Sequence, residues 1–288
     1  MRALGIDIGG SAAKLAVIDA DGVRTARSVG YDRPDREELK QALRGAIDRL
    51  GVPIDCSVPV GLCVPGRRSA DGDHIERSLN LACIEGWSFD AMLAEVLGHT
   101  PERTTVVSDI HAATVDLVHS MQLRGRVAVV AIGTGVGLGV WEDGQMLSIG
   151  DRGIGHLGQI DVGRLGELDR FGADGARNTL ESFVGLPALR QRWGSLDDEQ
   201  LSRWLASMRT DDPAAIALVR ALRIVHAIYV PDTVVLAGGV GIALSPLGGV
   251  LQQRVNDGLT SLARPGWSLC FGDSLYHASL GAARLASG

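Results

Sequence analysis

Two acids stand where a hydrophobic core has no use for them. Asp7 lies in the run LGIDI, in which Leu4, Ile6 and Ile8 alternate around it, just ahead of the turn Gly9-Gly10-Ser11. Such alternation is the period of a strand half buried on one face. A bare carboxylate is costly to bury, so an acid before a glycine turn asks for a cationic ligand, a metal bound to phosphate. The second acid, Asp109, closes the apolar run TTVVSD and opens IHAATVDLVHSM. There it can cap a helix or take a proton from a substrate hydroxyl as a general base, and the two roles can coexist. The turn after Asp7 suits phosphate chemistry. Without Cβ atoms, backbone N–H groups come close to phosphate oxygens. Ser11 adds a hydroxyl and Lys14 a charge. The pattern then returns: Ile8-Gly9-Gly10-Ser11 is answered by Ile132-Gly133-Thr134-Gly135. One such turn alone could be an ordinary hairpin. A pair facing each other could clasp a polyphosphate from both sides.

The elements that must carry these residues follow from the pattern. Strand, glycine turn, strand, an Asp-Gly turn and a third strand open each half. In the first half, Pro34 and Asp35 start a helix whose stripe is Leu39, Leu43, Ile47 and Leu50, and Gly51 ends it. VPVGLCVPG reads as a short buried strand, SFDAMLAEVLG as a helix capped by Ser88, and TTVVSD as a strand leading into a helix. In the second half, helices are expected near 180–192, 198–208 and 213–229, then a strand TVVLAGGV, a helix, a strand WSLCFG and a last helix HASLGAARLAS. Gly238 and Gly239, just after the buried part of that first strand and before a helix, offer backbone to a nucleoside, or simply turn from strand to helix. A repeat of this length is a duplicated domain rather than a solenoid unit. Each half is a sheet covered by helices, with sites beyond the strand ends. A cleft between the halves would gather Asp7, Gly10, Asp109 and Gly133.

Composition removes other classes. The 288 residues carry a net charge of −6 with only 4% aromatics, against nucleic acid, which wants basic patches and stacking rings. No run of ~18 apolar residues exists to cross a membrane. The four cysteines, Cys56, Cys63, Cys83 and Cys270, are scattered with no CxxC pair, as reduced thiols of a cytoplasmic protein would be. No GxxxxGK[ST] loop occurs, which excludes P-loop chemistry.

Together the motifs resemble the ROK family of sugar kinases, within the actin and hexokinase superfamily. The likeness runs through GIDIGGSAAKLAVID, VGLCVPGRRSADGDHIERSLNLACIEGW, VVSDIHAAT, VAIGTGVGLGV, VVLAGGVG and YHASLGAARLAS, in that order. It implies two actin-like (ribonuclease H-like) α/β domains flanking a cleft, the first made of 1–112 with the helix 276–288 and the second of 113–275. It implies ATP and Mg2+, a sugar substrate and a homodimer, to which the apolar helix AIALVRALRIVHAIYV either contributes or supplies only core. Asp109 would be the base and Asp7 the partner of hydrated magnesium. Pro65, Gly66, Asn80, Ser108, His156 and Glu181 would line the sugar site. Gly9, Gly10, Ser11, Lys14, Gly133, Thr134 and Gly135 would hold phosphates, and Gly238 and Gly239 would lie against adenosine.

Departures from the family pattern narrow the reading. Ser108 stands where relatives have asparagine, and Gly153 where they have a glutamate three residues before His156. Sites built around hydroxyls discriminate through such pairs, so the identity of the sugar is what these changes touch. Relatives with zinc use the loop histidine and three cysteines; here Gly172, Asp174 and Thr179 stand in those places, and one histidine makes no tetrahedral zinc site. No zinc is expected, with loop order resting on Leu157, Phe171 and Leu180. Lys14 is closest to a branch that uses polyphosphate, so a polyphosphate-dependent kinase is the alternative, beside a sugar-binding or regulatory protein that has lost catalysis.

Overall fold

The computed structural model describes residues 2–149, 153–163, 169–172, 175–194, 197–263 and 266–288. The chain divides into two compact units, Met1–Leu117 with Tyr276–Gly288, and Val118–Leu275. Both are α/β, as expected. Among the described residues no helix is long and apolar enough to cross a membrane.

The first unit is built on a five-stranded sheet of β1 (Ala3–Ile8), β2 (Ala13–Asp19), β3 (Gly22–Arg27), β4 (Val60–Cys63) and β7 (Thr104–Val107), in the order β3-β2-β1-β4-β7. β1, β2 and β3 form an antiparallel meander, whereas β4 and β7 join in parallel. A small hairpin of β5 (Arg67–Arg68) and β6 (Ile75–Arg77) follows β4. Helix α1 (Arg36–Leu50) starts with a capping box between Asp35 and Glu38 and stops at Gly51 in the left-handed region. Its buried stripe of Leu39, Leu43 and Leu50 packs in one cluster with Leu4, Ile6 and Leu15. Helix α2 (Phe89–Leu97) is capped by Ser88. Helix α3 (Asp109–Ser120) follows β7 directly.

The last helix, α10 (His277–Ser287), belongs to this unit although the whole second unit separates it from the rest in sequence. It lies on β1 and β4 at backbone distance. A Cβ on Gly5 would stand 1.8 Å from the Ser279 carbonyl oxygen, and one on Gly61 would stand 2.0 Å from that of Ala282. Real Cβ atoms do not come so close, so these two strand positions must be glycine for the helix to seat.

The second unit repeats the plan. Its sheet runs β10 (Gln145–Met146), β9 (Val136–Glu142), β8 (Val127–Ile132), β11 (Thr233–Ala237) and β12 (Ser268–Phe271) in that order, again with an antiparallel meander and two parallel additions. Helices α4 (Glu181–Val184), α5 (Leu186–Trp193), α6 (Asp198–Ala206), α7 (Pro213–Tyr229), α8 (Gly238–Ala243) and α9 (Gly248–Asn256) accompany it. The helix expected over 180–192 is two pieces, α4 and α5, hinged at Gly185, where Pro187 follows at the start of α5. The apolar helix 213–229 supplies core, as one of the two readings left open for it expects. It buries Leu218, Leu222 and Val225 in the core and leaves Ile224 and Ile228 exposed.

Candidate functional site

Register across the first sheet sets the site. Asp7 on β1 is paired with Lys14 on β2 and with Cys63 on β4, and Cys63 with Val107 on β7. Neighbours in a row share a face, so lysine, acid and thiol lie side by side. The Lys14 Nζ donates to Asp7 Oδ2 at 3.3 Å. It also reaches to 3.9 Å from where a Gly9 Cβ would stand, against the glycine turn. Asp7 is buried. The turn of residues 9–12 is braced from outside: the Tyr31 hydroxyl donates to the Gly9 carbonyl at 2.7 Å, and the Tyr31 N–H donates to that of Ser11 at 3.0 Å. Burial first, and then the Asp7 charge, push the Tyr31 phenol well above its ordinary value, so it remains a donor.

Asp109 comes two residues after Val107, as the first residue of α3. The capping duty falls on its neighbour: Ser108 Oγ accepts the His111 N–H at 3.3 Å. Asp109 Oδ1 accepts the adjacent Ile110 N–H, at 2.7 Å, and the carboxylate meets its own backbone N–H. Ser108 thus holds the helix end, and Asp109 is left with a carboxylate oxygen to spend. Solvent reaches Asp109, yet the crowding of protein around it, followed by the Asp7 charge, raises its carboxyl above the usual range; the Ile110 N–H and Lys14 pull the other way. Cys63 is fully buried beneath the acids and its thiol is pushed well up by burial, then by Asp7 and Asp109, which leaves it protonated and inert.

The expected sugar loop adjoins this group. Gly66, at φ 126°, turns the chain after Pro65 into the β5–β6 hairpin, and a Cβ there would lie 2.5 Å from the Arg77 carbonyl oxygen. Ser78 Oγ accepts the Leu81 N–H at 3.2 Å and Glu85 Oε1 accepts the Ser78 N–H at 2.9 Å. These bonds hold the turn that carries Asn80. Asn80 lies against the glycine turn, 3.2 Å from a Cβ placed on Gly10. Within the first unit, then, the structure brings together Asp7, Gly9, Gly10, Lys14, Asn80 and Asp109.

In the second unit the hairpin of residues 133–135 is clamped by Glu181. Its Oε1 accepts the Val136 N–H at 2.9 Å, its Oε2 accepts Gln159 Nε2–H at 2.9 Å, and it packs against Gly135 and Gly158. Leu186 N–H donates to the Gly133 carbonyl at 2.8 Å. Glu181 thus bonds to backbone and to Gln159, a partner that sequence reasoning missed. His156 is exposed one residue before the short 3-10 turn Leu157–Gln159. As expected, the strand stops before Gly238 and Gly239, at Ala237; Gly238 takes φ 74° and approaches Ile132, and both glycines open α8. Among the described residues nothing lies within 4 Å of a Cβ on Gly133, and only Leu275, at 3.9 Å, near one on Gly239, so the space a side chain would take is open at both.

Of the loop expected to stand in for zinc ligation, Leu157 and Leu180 are buried as expected, but Phe171 is 65% exposed. It sits in a surface bridge to Arg177 rather than in the core. Asp174 lies outside the described residues. Among the described residues, metal-ligating side chains converge at Asp71, Asp73 and His74 in the β5–β6 turn, away from His156 in the chain and in the other unit.

The comparisons agree with one another. The N-acetylmannosamine kinase of Vibrio cholerae is 24% identical over 88% of this chain and 90% of its own length. The glucokinase of Thermotoga maritima is 24% identical over 89% and 88%. Among solved structures, a ROK family glucokinase from Streptomyces griseus in complex with glucose and AMPPNP matches at a TM-score of 0.76 and 18% identity, covering 100% of this chain and 99% of that one. The model of the ROK family matches residues 3–263, and the chain belongs to that family.

Proposed function

We propose that the protein is a kinase that transfers a phosphoryl group from ATP to a hydroxyl of a hexose or related small carbohydrate, with Asp109 as general base. The observation that carries this reading is the grouping, in one unit, of an acid with a free carboxylate oxygen (Asp109), an acid–lysine pair beside a glycine turn (Asp7, Lys14) and an amide against that turn (Asn80). The named activities of the relatives support it.

The residues fit the groups such a reaction needs. Two carboxylates face one ammonium, and the donors are oxygens, since the Cys63 thiol is protonated. That set suits a hard divalent cation such as magnesium rather than a thiolate-seeking one. Asp7, through water, would hold the ion, whose chemistry is to neutralise charge on phosphate oxygens. The turn at 9–12 and the hairpin at 133–135 offer N–H groups, with the Ser11 and Thr134 hydroxyls, and Gly239 offers open backbone to the nucleoside, with Gly238 turning the chain beside it.

Asp109 accepts the proton of the attacking hydroxyl. The oxygen of that substrate hydroxyl forms the new bond to the terminal phosphorus as the bond from that phosphorus to the bridging oxygen breaks, its electrons going to the departing diphosphate. A base must be deprotonated before it acts, and a carboxyl held above its usual range is the stronger base once ionised. Asn80, Pro65, Gly66 and His156 orient the sugar. The exposed Ile224 and Ile228 of α7 supply a face for a homodimer.

Asp109→Asn keeps shape and removes the base. Turnover, followed by coupled assay over sugars and amino sugars with ATP or polyphosphate as donor, falls by about 10²–10⁴-fold, the worth of a positioned base, while nucleotide binding by calorimetry stays within a few-fold. Undiminished turnover refutes the assignment. Faster transfer from polyphosphate than from ATP replaces the donor and leaves the rest.

A further inference from the structure

Helices α3 and α10 meet through their smallest residues. A Cβ on Gly281 would stand 1.8 Å from the Ala112 carbonyl oxygen. Cys63, Ala112 and Ala282 form a small buried cluster with Val107 and Leu285 against it. Small residues bring two backbones close, but they offer few projecting groups to fix how far one helix slides or rolls on the other.

Into this contact the sequence places a charge. Asp116 on α3 is 1% exposed. Its Oδ2 lies 2.7 Å from His277 Nδ1, and its Oδ1 accepts from Arg284 Nε at 2.7 Å, both partners on α10. His277 is itself buried. A buried carboxylate is tolerated when its oxygens are met. Here each oxygen is met by a different residue, one near each end of α10, so a slide or roll of α3 breaks at least one bond. The chain passes from the first unit to the second after Leu117 and returns before Tyr276. Asp116 and His277 therefore each stand beside one of these two passages, and the pair ties them together within the first unit.

We propose that Asp116, His277 and Arg284 are positioning residues that fix α3 on α10 so that Asp109, at the start of the same helix, is held beside Asp7. Asp116 lies seven residues along from Asp109, about 10 Å of helix rise, so a small roll at one end displaces the other. Displacing a reacting group by ~1 Å can cost about 10²-fold in rate. This inference rests on reading Asp109 as the base, and the test separates the two.

Asp116→Asn, His277→Asn, Arg284→Lys, Arg284→Met and Asp109→Asn are prepared in the full chain. Turnover, KM for ATP and for the sugar, and the thermal midpoint are measured for each. Asp116→Asn is expected to lower kcat at least tenfold with both KM values within twofold and a single cooperative melt. Arg284→Lys, which keeps the charge, retains at least half of kcat, and Arg284→Met does not. Should Asp116→Asn fail to fold, His277→Asn carries the same expectation. A kcat within twofold of the parent in the folded variant overturns the proposal, and so does a loss in which KM rises by the same factor as kcat falls. If Asp109→Asn keeps full turnover, the base assignment fails by itself. If it is inactive while Asp116→Asn is unimpaired, only the positioning role fails.

Discussion

The two sheets have one topology and opposite chemistry. In the first, the row at the end of β1 reads Lys14, Asp7 and Cys63 across β2, β1 and β4. In the second, the corresponding row reads Gly137, Ala131 and Ala237 across β9, β8 and β11. The same strand order thus presents charge at one place and almost no side chain at the other. The bracing differs in the same sense. The turn at 9–12 is tied by Tyr31 to its own unit's backbone, with the Lys14–Asp7 pair beneath it. The hairpin at 133–135 borrows a carboxylate from a distant helix, Glu181. Two sheets of like strand order thus carry charged side chains at one turn and small ones at the other.

That division can be tested by breaking each side. The largest effect is expected on the charged row. Asp7→Asn should lower turnover by about 10²–10³-fold, as for loss of a group stabilising transition-state charge, and weaken the dependence of rate on magnesium; a magnesium titration of the steady-state rate checks it. Next is the clamp on the other side. Glu181→Ala leaves the Val136 N–H without its acceptor, at about 1–3 kcal/mol for an unmet buried donor. It should lower the denaturation midpoint and raise KM for the nucleotide more than it lowers kcat. An effect on the sugar KM alone would instead mark Glu181 as a sugar ligand.

Tyr31→Phe removes one hydrogen bond beneath the first turn and nothing else. A neutral bond of this kind contributes ~1 kcal/mol, so nucleotide binding should weaken about fivefold, read by calorimetry. The smallest effect concerns Asp109 itself. Its carboxyl is raised in the folded protein by burial and then by Asp7, so folding favours its protonated form. Whatever stability that proton confers is present below the unfolded carboxyl value and is lost as pH rises through the raised one. At neutral pH the ionised group is a small liability. Asp109→Asn should raise the melting temperature slightly at pH 7 and not at pH 3. In the parent enzyme, activity should fall on acidification at a pH above that of an ordinary aspartate.

Much of this architecture was legible because it is local. The capping box at Asp35, the stop at Gly51 and the Ser88 cap announce α1 and α2, and the duplicated turn announces two like sheets. The acids were legible because Asp7 and Asp109 each break an apolar run. What stayed hidden depends on partners far away in sequence. Nothing near Glu181 says that it will face Val136, and nothing near Tyr31 says that its hydroxyl will meet Gly9. That the Ser108 hydroxyl accepts the His111 N–H is a local bond that the helix start could have suggested. Asp116 reads as one polar residue on an amphipathic helix until α10 arrives with His277 and Arg284.

The glycines under α10 also bear on how the chain comes to be folded. β1 and β4 are among the earliest strands to be synthesised, yet the helix that fits over Gly5 and Gly61 emerges after the entire second unit. Until then, the nascent first sheet has a shallow furrow with no lid, and closing it requires contacts of long sequence separation, which form slowly. A newly made chain should therefore offer a sticky early sheet to chaperones for as long as the ribosome needs to finish, and a short free peptide of residues 277–287 is the natural decoy for that furrow.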